Sequence, residues 1–233
     1  MNHHTNIVRI KAIYNALKRV EYDYVFVGGA VVSLYADRPA GEVRETDDID
    51  ILIEIYSRYD YLVLEEKLRQ LGFKHDTSSN FVGRFLIEGL IIDFMPLDEK
   101  VLGFNNRWYA EGLKNAIDYV IDDLDTIKIF AAPYFIAAKL EAFKSRGKNA
   151  NGELDGRLSS DFEDVVFLLS NRMAIWEEMK SANKDIREYL VNEFTILLKN
   201  PYFEEWIDAQ TGYMSSFAQA IILPQVKDFI SGK

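Results

Sequence analysis

The stretch from Val25 to Glu54 limits the fold more than any other part of the chain. A short apolar segment, Tyr24 to Val27, runs into Gly28-Gly29. Ala30 to Tyr35 reads as a helix, and Arg38-Pro39-Ala40-Gly41 as a loop by its proline and glycine. Asp48-Ile49-Asp50 then heads a strand from Ile49 to Ile55, in which Ile49, Ile51, Ile53 and Ile55 alternate with Asp50, Leu52 and Glu54. Alternation of period two puts the isoleucines on a core face and the two aspartates together on the other. Carboxylates at i and i+2 of a strand lie about 7 Å apart along it. That spacing suits oxygen donors sharing a divalent metal, and is costly without a cation or water to compensate.

The segments around this stretch read as its support. Ile7 to Val20 carries an apolar stripe of helical period (Ile7, Ile10, Ile13 or Tyr14, Leu17, Val20). Arg58 to Leu71 forms a second helix with Tyr61, Leu64, Leu68 and Leu71 on one side, stopped by Gly72. Phe73 to His75 and Arg84 to Glu88 read as strands, and Glu88-Gly89 turns the chain into Leu90 to Met95. Asp93 sits inside that last strand among Ile91, Ile92, Phe94 and Met95. A carboxylate so placed must be paired, hydrogen-bonded or on a metal. Trp108 to Tyr119 reads as mixed, and Thr126 to Phe130 as a strand.

Beyond Pro133, which suits a first helical turn, the chain reads as helical. Lys139 lies mid-helix, where a lysine is ordinarily a surface residue. Gly147 to Arg157 is a polar loop. Ser160 to Glu163 has the spacing of a capping box, followed by Phe162, Val165, Val166 and Leu169 at i, i+3, i+4 and i+7. Arg172 to Lys199 reads as one long or two shorter helices, with Asn200-Pro201 and Pro224 as breaks. The expected architecture is α+β: an α/β core over residues 1–130 and a helical C-terminal domain over 131–233.

Composition bounds the function classes. With 233 residues, 48% hydrophobic and 27% charged, the chain is that of a globular protein. A net charge of −10 argues against a broad, salt-driven nucleic-acid surface but leaves room for a local basic groove, the most basic region being Lys139, Lys144, Arg146, Lys148 and Arg157. The absence of cysteine removes disulfide and thiolate chemistry and fits a reducing cytoplasm, the expected location. The N-terminus lacks signal-peptide character and no apolar run is long enough to span a membrane. Three histidines without ligand spacing make a zinc site or a Ser/His/Asp arrangement unpersuasive. Asp122, Asp123 and Asp125 read as a solvated acidic turn.

A strand ending in Gly-Gly, an Asp-x-Asp strand and a third strand aspartate together suit nucleotidyl transfer. The glycines let backbone N–H groups approach a triphosphate. Asp48 and Asp50 would hold two magnesium ions about 4 Å apart. Asp93 would complete the shell and take up the proton of the attacking hydroxyl.

At these residues the chain resembles the DNA polymerase β-type nucleotidyltransferase superfamily: Val27-Gly28-Gly29, Asp48-Ile49-Asp50 and the later Asp93 follow its pattern. Within it, the chain is similar to the AbiEii/AbiGii-like toxins of type IV toxin–antitoxin and phage-defence systems. That resemblance rests on Gly28-Gly29-Ala30, Arg44, Thr46, Arg84, Asp93 to Pro96, Pro133, Lys139 to Phe143, Arg146-Gly147 and Ser160 to Asp164. It covers roughly residues 7–170. It implies a minimal nucleotidyltransferase fold, metal at Asp48, Asp50 and Asp93, and nucleotide contacts from Gly28, Gly29, Arg44, Thr46, Arg84 and Lys139, with Asp161 supporting Lys139 and Asp164 as a structural partner. The spacer between Gly29 and Asp48 holds 18 residues (30 to 47), longer than in many members, and Gly29 stands where a hydroxyl residue often follows the first glycine. Arg44 or Thr46 is then expected to supply the missing phosphate contact.

The expected activity moves a nucleoside monophosphate from a nucleoside triphosphate to an acceptor hydroxyl. The acceptor stays open between tRNA, a protein side chain and a small molecule of the antibiotic-modifying kind, and a toxin implies a cognate antitoxin. The alternative from another class is a non-catalytic module that binds a nucleotide or a partner.

Overall fold

The structure is a computed structural model describing residues 2–37, 43–103, 106–212 and 215–232, with the side chains of 215–219 outside that description. The loop expected at Arg38-Pro39-Ala40-Gly41 lies outside the described residues. The chain divides into two compact units, one of residues 1–34 and 41–131, the other of 35–40 and 132–233.

The first unit is a seven-stranded mixed sheet with helices. In chain order it contains α1 (Asn2–Leu17), β1 (Tyr24–Val27), a 3₁₀ helix (Gly29–Tyr35, whose last residue belongs to the second unit), β2 (Asp48–Ile53), α2 (Arg58–Gln70), β3 (Lys74–His75), β4 (Arg84–Ile87), β5 (Leu90–Pro96), α3 (Glu99–Leu102), α4 (Tyr109–Lys114), β6 (Ala116–Val120) and β7 (Thr126–Phe130). The sheet order is β3-β4-β5-β2-β1-β7-β6. β1 runs antiparallel to β2 and parallel to β7, while β2 runs parallel to β5. The isoleucine face is core: Ile49, Ile51, Ile53 and Ile55 are all buried. Leu52 is buried too, so beyond Asp50 both faces of β2 are shielded from water. Glu88 and Gly89 both take positive φ (49° and 81°), as a two-residue hairpin requires, and join β4 to β5 with Ile87 opposite Leu90. Phe94 on β5 packs edge-on against Phe73 and Phe85, fixing the outer half of the sheet.

Two expectations change in this unit. The segment after Gly28 is a 3₁₀ helix with no α-helical turn. The acidic turn at Asp122 to Asp125 is not simply solvated: Asp125 is buried, Lys18 donates to it at 2.9 Å, and Lys11 pairs with Asp122. Lys11 on α1 and Lys18, just past its last residue, supply the charge that burial of Asp125 demands.

The second unit is helical: α5 (Ala132–Arg146), α6 (Ser160–Asn171), α7 (Ile175–Ser181), α8 (Lys184–Lys199), α9 (Phe203–Thr211) and α10 (Ser215–Ser231). Phe143, Phe162, Phe203 and Trp206 stack edge-on or tilted around one centre, and Trp176, Phe194 and Phe229 around another. The α6 cap is Ser159, one residue before the expected box, accepting from the Phe162 backbone N–H at 3.3 Å. Adjacent serines offer the same oxygen, and the register that buries Phe162, Val165, Val166 and Leu169 selects the first. Pro224 does not break α10, which runs through it. Pro224 is exposed while Ile222, Val226 and Phe229 are buried, so the carbonyl that loses its proline N–H partner lies on the solvent side.

Candidate active site

Strand register assembles the first-unit site. Val27 on β1 lies opposite Asp50 on β2, Asp50 is in register with Asp93 on β5, and Asp93 is opposite Arg84 on β4. Partners in register on neighbouring strands project to the same face, about 5 Å apart. Asp50, Asp93 and Arg84 therefore form one row across three strands, and Asp48 joins the same face two residues before Asp50.

Arg84 holds this row together. Its Nε donates to Asp93 Oδ1 at 2.7 Å and its Nη2 to Asp93 Oδ2 at 2.6 Å, a two-pronged grip. The same Nη2 reaches Asp48 Oδ2 at 2.8 Å. Hydrogen bonding to Asp93 outweighs partial burial and, with the charges of Asp93, Asp48 and Asp50, holds the guanidinium above its ordinary pKa. Asp93 is 7% exposed, and both its carboxylate oxygens accept from Arg84.

The glycines meet the row at its open end. Gly28 has φ +72°, and a Cβ there would stand 1.7 Å from Asp50 Oδ2. A Cβ on Gly29 would stand 2.3 Å from Arg44 Nη2 and 3.2 Å from Thr46 Oγ1. The bare backbone of Gly28-Gly29 is thus roofed by a carboxylate on one side and by a guanidinium and a hydroxyl on the other. Thr46, itself buried, donates through Oγ1 to Asp48 Oδ1 at 3.2 Å.

Sequence reasoning missed what holds the residues before Asp48. Arg9 on α1 donates from Nη1 to the Thr46 carbonyl at 2.6 Å, and Asn2 donates from Nδ2 to the Val43 carbonyl at 2.7 Å. Side-chain bonds to backbone carbonyls leave no spacing to read, and both residues lie off the apolar stripe of α1.

The structure thus brings Gly28, Gly29, Arg44, Thr46, Asp48, Asp50, Arg84 and Asp93 together in the first unit. Lys139 and Asp161 come together in the second. Lys139 is buried, not on the surface, with its ammonium 2.7 Å from Asp164 and 3.2 Å from Asp161. Arg146 grips Asp161 from the other side at 2.6 and 2.8 Å. Burial pushes the Asp161 carboxyl up, but the Arg146 hydrogen bond and the charges of Lys139 and Arg146 prevail and hold it below the usual range.

The first-unit donor set can be tested against a divalent ion. Carboxylates are the hard oxygen donors that magnesium takes, and the Arg84 guanidinium already stands as a cation between Asp48 and Asp93. The residues fit a centre of positive charge. Among the described residues, no three acidic or histidine side chains converge tightly enough to ligate an ion as they stand. With Arg84 in place, the carboxylates of Asp48 and Asp93 are directed at the guanidinium.

No protein-family profile and no curated protein sequence matches the chain. Solved structures do. The antibiotic-resistance factor ANT(2'')-Ia superposes with a TM-score of 0.50 at 13% identity, over 85% of this chain and 97% of its own. An antigenic nucleotidyltransferase-like protein from Paracoccidioides brasiliensis gives 0.48 at 17% identity, over 88% and 92%. A tRNA nucleotidyltransferase in complex with a primer tRNA and an ATP analogue gives 0.26 at 16% identity, over 93% of this chain and 61% of that one. The fold is nucleotidyltransferase-like: a mixed seven-stranded sheet with flanking helices, followed by a helical C-terminal part.

Proposed function

We propose that the protein is a magnesium-dependent nucleotidyltransferase that moves a nucleoside monophosphate from a nucleoside triphosphate to an acceptor hydroxyl. The observation that carries this is the strand-register row of Asp50, Asp93 and Arg84, with Asp48 beside it and the Gly28-Gly29 backbone at its end. Asp48, Asp50 and Asp93 would hold the metal, which when bound supplies Lewis-acid neutralisation of the phosphates. The Gly28-Gly29 backbone, Arg44 and Thr46 form the phosphate grip. The acceptor oxygen bonds to the α-phosphorus, the bond to pyrophosphate breaks, and Asp93 takes the hydroxyl proton. The protein contributes mainly position and charge. Lys139 and Asp161 enter through motif resemblance alone.

On acceptor, the motif resemblance favours an AbiEii-like toxin that labels tRNA or protein and is restrained by an antitoxin. The net charge of −10 favours a second reading, a small-molecule acceptor, because a large RNA footprint would need more cationic surface. One experiment addresses both. The protein is incubated with labelled nucleoside triphosphates, magnesium and a total cell extract, and label is followed into RNA, protein and small molecules. RNA or protein label supports the toxin reading, and label confined to small molecules replaces it with the antibiotic-type one. If calorimetry finds no magnesium-dependent binding of any nucleoside triphosphate, and Asp48→Asn changes nothing, the protein is a non-catalytic module.

A further inference from the structure

The Arg84 guanidinium does more than neutralise a neighbour. It shares one nitrogen between two carboxylates on different strands and adds a second bond to the more buried one. Its side chain is 26% exposed and that of Asp93 10%, so these are charge-assisted bonds formed largely away from water. A divalent ion that uses Asp48 and Asp93 together must take oxygens that Arg84 now holds. In the protein without nucleotide, ion and guanidinium are therefore competitors for the same charge.

We propose that Arg84 is a built-in counter-cation that keeps divalent metal affinity low until nucleotide arrives. This rests on the nucleotidyltransferase reading of the site. A nucleoside triphosphate changes the balance because its phosphates are the other partner that suits a guanidinium, a planar fork matched to two oxygens. Arg84 can exchange carboxylate for phosphate without losing charge pairing. The vacated oxygens of Asp48 and Asp93 then face outward, and the metal enters together with the nucleotide. Metal and nucleotide binding are coupled through one side chain, and each must raise the affinity of the other by the same factor. The arrangement also offsets the repulsion between the Asp48 and Asp93 carboxylates in the resting protein.

The test measures Mn2+ binding by electron paramagnetic resonance, in the full-length protein without nucleotide. Wild type is expected to bind weakly, Arg84→Gln roughly tenfold or more tightly, and Arg84→Lys, which keeps the charge but not the fork, in between. Adding a non-hydrolysable nucleoside triphosphate analogue is expected to raise Mn2+ affinity sharply in wild type and far less in Arg84→Gln. A merely structural arginine predicts the opposite sign, because its loss would loosen the carboxylates and weaken metal binding. Arg84→Gln and Arg84→Lys both binding Mn2+ no more tightly than wild type overturns the proposal. Failure of the underlying reading looks different: wild type saturated with the analogue would take up no Mn2+ that Asp93→Asn removes. Should Arg84→Gln not fold, the Arg84→Lys comparison carries the same sign.

Discussion

At the scale of single residues, Gly28 is the least replaceable position in the site. It needs a left-handed backbone, and its missing side chain is the space that Asp50 fills. Gly28→Ala would cost about 1–2 kcal/mol in backbone strain. It would also push the Asp50 carboxylate out of the row with Asp93 and Arg84. A displacement of about 1 Å at a reacting centre lowers rates roughly 100-fold. Nucleotidyl transfer by Gly28→Ala is therefore expected to fall at least that far, with a folded circular-dichroism spectrum. A variant within threefold of wild type would show that Asp50 need not stand where it does. Lys139 teaches a different lesson at the same scale. Its side chain is as deeply buried as a core residue because Asp161 and Asp164 sit one helical turn apart on α6 and both reach it. A lysine on a helix carries no local mark of that, since its partners lie more than twenty positions away.

At the scale of elements, the strands were the most legible part of the sequence. Tyr24–Val27 and Thr126–Phe130 stand where their apolar runs end, because a short strand closed by glycines or an acidic turn has few other registers. What the sequence could not show was cross-strand register. Arg84 and Asp93 look unrelated in one dimension and become direct partners only when the Glu88-Gly89 hairpin folds. The same holds for α1. Its stripe showed the buried side through Ile10, Ile13 and Leu17, but not that Asn2 and Arg9 tie down the residues carrying Arg44 and Thr46. That tie yields a prediction. Arg9→Ala removes a charge-assisted bond of about 1.5–3 kcal/mol to the Thr46 carbonyl. The proposed phosphate grip should loosen while the aspartate row, fixed by strand pairing, stays in place. Steady-state kinetics are expected to show KM for the nucleoside triphosphate rising about tenfold with kcat changed less than about threefold, partly restored by Arg9→Lys. An equal fall in kcat at unchanged KM would assign Arg9 to the chemical step instead.

At the scale of the whole molecule, each unit has among its described residues a cluster in which acid and base interlock. In the first, one arginine serves aspartates on two strands. In the second, Asp161 serves two cations, Lys139 and Arg146, while Asp164 holds Lys139 as well. The second group bears on stability because Asp161 is 1% exposed. Its carboxyl is held below the ordinary carboxylate pKa, so it binds fewer protons folded than unfolded in the acid range. The stability it contributes is complete above the ordinary carboxylate value of about 4 and is lost as pH falls through the lower folded value. Thermal midpoints of wild type and Asp161→Asn, measured from pH 7 to pH 3, should thus differ by a constant amount down to about pH 5. Below about pH 4 the two curves should converge, because wild type loses a contribution that the variant never had. Parallel curves through pH 3 would mean that the Asp161 carboxylate is not held by Arg146 and Lys139 in solution.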